Sequence, residues 1–66
     1  MHVIVNGEPR DVTIGTTVGG LVDQLACGVK GTAVAVNEAV VPRSTWGATA
    51  LQPGDRVEVL IASQGG

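Results

Sequence analysis

Val18, Leu21, Val22, Leu25 and Ala26 fall at i, i+3, i+4, i+7 and i+8, a full apolar stripe down one side of a helix. The rest of the chain reads as short alternating runs broken by turn residues. A lone amphipathic helix surrounded by strands must bury its stripe on a sheet, so the chain is expected to be α+β. Thr16 or Thr17 is placed to cap the helix, and Asp23 and Gln24 fall on its wet side. Gly28 suits a left-handed C-cap, with Lys30 near the negative end of the helix. Gly19 and Gly20 sit in the first turn, each costing about 1 kcal/mol relative to alanine, which points to a close approach by the sheet or a partner.

The strands follow from period-two patterning. Val3 and Val5 alternate with His2, Ile4 and Asn6. Asn6 and Gly7, followed by Glu8 and Pro9, signal a tight hairpin, because Asn-Gly tolerates the positive φ angles of a primed turn. Residues 10–14 alternate again, with Val12 and Ile14 expected inward, until Gly15 ends the hairpin. Ala33, Val34, Ala35 and Val36 form a small-and-branched run suited to a central strand buried on both faces. Asn37 and Glu38 turn the chain into a short strand, Ala39 to Val41, stopped by Pro42. An irregular or single-turn segment carrying Trp46 follows, then a Pro53-Gly54 turn of type II. In the last strand Val57, Val59 and Ile61 face one way, leaving Arg56, Glu58 and Leu60 on the other. Strand, strand, helix, strand, short strand, strand suits a β-grasp (ubiquitin-like) fold, a mixed sheet of about five strands with the first and last adjacent in mid-sheet.

Size and composition narrow the function. A chain of 66 residues is one small domain with a marginal core, poorly suited to enclosing a deep catalytic pocket. With no Phe, no Tyr and one Trp, aliphatic side chains must do the packing, and Trp46 is expected to close one end of the core. Arg10, Lys30, Arg43 and Arg56 are scattered and the formal charge is -2, which argues against nucleic acid as a partner. No run has the length of a membrane span and no signal-peptide pattern opens the chain, so a cytoplasmic location is expected. A single cysteine, Cys27, excludes an internal disulfide and a cysteine-built zinc or iron–sulfur site, and reads as a small buried hydrophobe. His2 has no neighbouring metal ligands and is assigned no role. No bound cofactor and no metal are expected, nor catalysis by the chain itself.

The expected domain covers residues 1–61, and residues 62–66 are expected to form a flexible tail ending in Gly65 and Gly66. Terminal glycines add no packing and carry high backbone entropy. Their use is steric: a slim end threads into a narrow channel and presents the Gly66 carboxylate. Fully extended, the five tail residues reach about 17 Å. Ser63, Gln64 and Gly65 would line that passage. Leu60 is an apolar residue on an outward face beside the tail, so it joins Arg56, Glu58 and Arg43 as a candidate docking residue.

Asn37, Val41, Pro42, Arg43 and Trp46 are similar to the N-x-x-x-V-P-R-x-x-W stretch of the thiamine-biosynthesis sulfur carriers (ThiS family). Leu51, Gly54, Asp55 and Val57 resemble that family's L-x-x-G-D-x-[IV] pattern, and with the diglycine the resemblance spans essentially the whole chain. Ser63 departs from it, being polar at a tail position where members often carry an aliphatic residue. The resemblance implies that an E1-like (ThiF-type) enzyme spends ATP to adenylate Gly66, that a persulfide donor supplies sulfur, and that the resulting thiocarboxylate goes to thiazole synthase (ThiG-type). The small subunit of molybdopterin synthase shares this fold and tail. A carrier for molybdopterin or cysteine assembly, an isopeptide-forming protein modifier and a plain β-grasp binding module therefore stay open.

Overall fold

A computed structural model describes residues 1–25 and 31–61. The expected placements of Ala26, Cys27, Gly28, Lys30 and residues 62–66 lie outside the described residues. The elements are β1 (His2–Val5), β2 (Glu8–Asp11), α1 (Val18–Gln24), β3 (Thr32–Val36), β4 (Ala39–Val41), a 3₁₀ segment (Arg43–Ala48) and β5 (Arg56–Ile61). The five strands form one sheet in the order β2-β1-β5-β3-β4. β1 and β5 run parallel in its middle, and every other neighbouring pair is antiparallel. This is the expected mixed β-grasp sheet with its helix.

Local chemistry explains the punctuation. Asn6 and Gly7 take φ of 51° and 84°, the left-handed values of a primed two-residue turn. Glu8 and Pro9 accordingly begin β2, with Pro9 opposite Ile4 on an edge strand, where its missing N–H breaks no ladder. Thr17 caps α1, its hydroxyl accepting from the Gly20 N–H at 3.1 Å. Gly54 at φ 84° supplies the turn into β5.

The core is aliphatic with one aromatic closure. Val3, Val5 and Val12 meet Val18, Leu21 and Val22 of α1, with Val34, Val57, Val59 and Leu51 filling the layer. Burying one such side chain contributes about 1.5–3 kcal/mol. Trp46 seals one end, its indole N–H donating to the Val41 carbonyl at 2.9 Å. The Arg43 guanidinium lies 5.9 Å from the centre of its ring. Gly19 makes its close approach to Trp46 and Gly47 of the 3₁₀ segment, not to the sheet.

Three expectations about facing are corrected. Ile14 is not in the core but 81% exposed, because β2 ends at Asp11 and a turn at Thr13 and Gly15 breaks the alternation after Val12. β3 is not buried on both faces: Thr32 and Val34 are buried, whereas Ala33 is exposed and Ala35 only half-buried. The core lies on the helix side of the sheet alone, and small alanines tolerate the bare side at little cost. Ile61 shares the inner register with Thr32, but at the end of β5 it is 60% exposed.

Candidate functional site

The side of the sheet away from α1 is where the fold leaves chemistry unspent. Alternation along β5 puts Val57 and Val59 in the core and turns Arg56, Glu58 and Leu60 outward. Register then sets their neighbours: Leu60 stands opposite Ala33, and Glu58 opposite Ala35. Ala35 in turn stands opposite Val40 of β4, which is 77% exposed. Leu60, at 68% exposure, and Val40 thus flank a low surface made by two alanines. Large side chains around small ones make an apolar depression that a partner's side chain can fill.

Charge frames this strip. Arg56 is paired in register with Ile4, and Glu58 lies between Arg56 and Leu60 on the same face. Neither side chain makes an ion pair among the described residues, so both charges are available to a complementary surface. Arg43 stands apart from this group. It lies in the 3₁₀ segment over the Trp46 ring, and the fold does not align it with the β5 residues.

Val40 is the member that sequence reading missed. Its signal was present, since Ala35 and Val40 flank the Asn37 turn symmetrically and a two-residue hairpin pairs them face to face. The candidate tail residues Ser63, Gln64, Gly65 and Gly66 lie outside the described residues, which end at Ile61, directly after the strip.

Among the described residues, no group of side chains gathers into a reactive centre. No group of three or more His, Cys, Asp or Glu that could hold a metal occurs among the described residues. A cleft of about 280 Å³ lined by Val5, Leu25, Val59 and Ile61, with Glu8 and Arg10, brings no nucleophile beside a base. His2 is exposed, with its ring 3.9 Å from the Asp11 carboxylate. No described helix is long and apolar enough to cross a membrane.

The arrangement has close relatives. The ThiS family model matches residues 3–66. The chain is 32% identical to the sulfur carrier protein ThiS of Escherichia coli over 100% of both chains. It is 42% identical to a thiazole synthase of Magnetococcus marinus, matching over its own full length but spanning only 20% of that relative. The crystal structure of the thiamine biosynthesis protein ThiS from Geobacter metallireducens superposes with a TM-score of 0.85 at 32% identity, covering 100% of both chains. The family match over residues 3–66, the full-length similarity and the shared architecture agree: this chain belongs to the ThiS family.

Proposed function

We propose that this chain is a sulfur carrier of thiamine biosynthesis, a protein co-substrate and not an enzyme, with the Gly66 carboxylate as its working group. Support comes from its full-length similarity to a sulfur carrier and to a module that forms 20% of a thiazole synthase. A segment similar to this chain is part of that thiazole synthase, which makes such a synthase a natural partner for the separate chain.

The chemistry follows from what a carboxylate lacks. It is a poor electrophile, so an ATP-dependent, E1-like enzyme first activates it. A carboxylate oxygen of Gly66 attacks the α-phosphorus of ATP, pyrophosphate leaves, and an acyl adenylate remains. The terminal sulfur of a persulfide attacks the acyl carbon and expels AMP. A second thiol then cleaves the acyl persulfide, leaving the thiocarboxylate on Gly66 and a disulfide behind. Thiazole synthase takes the thiocarboxylate as its sulfur nucleophile.

In this scheme the carrier provides recognition and reach. Leu60, Val40, Arg56 and Glu58 dock on the activating enzyme, and Ser63, Gln64 and Gly65 carry Gly66 into its channel. Glycines fit there because a β-carbon would meet the wall. The test extends the chain by one residue after Gly66 and measures ATP–pyrophosphate exchange with an activating enzyme of the family. Exchange is expected with the native end and lost with the extended one. Equal exchange by both would remove Gly66 from the chemistry.

A further inference from the structure

Both hairpin turns place an asparagine at left-handed φ, and both asparagines reach β5. Asn37 grips its start: the side-chain oxygen accepts from the Arg56 N–H at 3.0 Å, and the amide donates to the Asp55 carboxylate at 3.0 Å. Asn6 grips the other end. Its Oδ1 accepts from the Val59 N–H at 2.8 Å and its Nδ2 donates to the Val59 carbonyl at 3.2 Å.

The second grip has a consequence for the tail. The parallel ladder between β1 and β5 registers Ile4 with Arg56 and Val5 with Val57, after which β1 turns away. The Asn6 amide then makes the pair of bonds that a further β1 residue would have made, satisfying backbone groups that are part-buried. Both backbone groups of Val59 are therefore held by Asn6 on the β1 side, while on the β3 side Val59 stands in register with Val34. Leu60 and Ile61 are paired on the β3 side alone. Val59 is thus the last described residue of β5 that is held on the β1 side.

We propose that Asn6 is a positioning residue for activation of Gly66, fixing the end of β5 from which the tail is presented to the activating enzyme. The inference rests on the carrier reading above. A loosened anchor leaves docking through Leu60 and its neighbours largely intact but spreads the positions that Gly66 samples inside the channel. Misplacement of a reacting carboxylate appears in kcat, whereas lost docking appears in KM.

Asn6→Gly is the informative change, because glycine accepts the left-handed φ without strain while deleting the amide. Asn37→Gly makes the same deletion at the far end of β5 and serves as the comparison. Asn6→Asp keeps the acceptor for the Val59 N–H, loses the donor to its carbonyl and also tolerates the left-handed turn. The measurements are adenylation kinetics with an E1-like enzyme of the family and hydrogen exchange at the Val59 amide. For Asn6→Gly and Asn6→Asp, kcat is expected to fall about tenfold with KM within about twofold, as displacement of a reacting group predicts. Val59 exchange should accelerate in Asn6→Gly, and Asn37→Gly should keep the native kcat. Native kcat in both Asn6 variants, or an equal fall in Asn37→Gly, overturns the positioning role. Failure of the native chain to be adenylated at all overturns the carrier reading itself, and the inference with it.

Discussion

Neighbouring residues of β5 lead opposite lives. Val57 and Val59 are buried among the side chains of the core, while Glu58 and Leu60 stand on a bare sheet face. The inner set contributes through apolar area removed from water, which is paid back only in stability. The outer set contributes almost nothing to folding, since its surroundings are solvent in both states. With the proposed docking strip, stability and recognition sit on opposite faces of one strand and can be altered separately.

The largest effect should come from the inner side. Trp46→Ala removes the one aromatic, and its hydrogen bond to Val41, at a cost of about 3–5 kcal/mol. A core of this size rarely supplies more than about 3–5 kcal/mol in total, so cooperative thermal unfolding by circular dichroism should be abolished or fall below ambient temperature. Survival of a cooperative transition near the native Tm would break the division between faces. Leu60→Asp is the converse: stability should change by less than about 0.5 kcal/mol, while affinity for the activating enzyme drops at least about tenfold. Calorimetric titration alongside thermal melting separates the two. Val40→Asp should weaken the same complex by a smaller factor, because Val40 lies on the edge strand, two strands from β5, whereas Leu60 is next to its last residue, Ile61.

The smallest effect sharpens the picture from within the helix. A β-carbon added at Gly19 would sit 3.7 Å from backbone atoms of Trp46 and Gly47, an ordinary van der Waals distance. Gly19→Ala should therefore raise stability by about 0.5–1 kcal/mol in a denaturant titration, through reduced backbone entropy of the unfolded chain. A destabilised variant would show that the 3₁₀ segment cannot spare that space.

Where side-chain chemistry is local, the fold was legible in the sequence. Asn6-Gly7 announces its turn because few other pairs accept those φ angles, and the Thr16-Thr17 pair announces the helix because a hydroxyl caps open N–H groups, the structure choosing Thr17. Facing was harder. Ala33 and Ala35 are equally at home in a core or on a bare sheet, so composition could not show that α1 covers one side of β3 alone. Ile14 reads as core by alternation, and only the turn at Gly15 takes it out of register. The proposed docking strip was half visible: Leu60 follows from alternation in β5, but Val40 joins it only through pairing across β3 and β4. The grip of Asn6 on Val59 joins residues 53 apart in sequence, and a residue that already explains a turn gives no local sign of a second task.

The central claim is that Gly66 becomes the sulfur-bearing group, and intact mass spectrometry tests it most directly. The chain would be incubated with ATP, an activating enzyme of the family and a persulfide donor, then fragmented at its C-terminal peptide. The account predicts a gain equal to replacing one oxygen by sulfur, located on Gly66 and absent without ATP. An unmodified Gly66 under conditions where a ThiS relative is fully converted would contradict it.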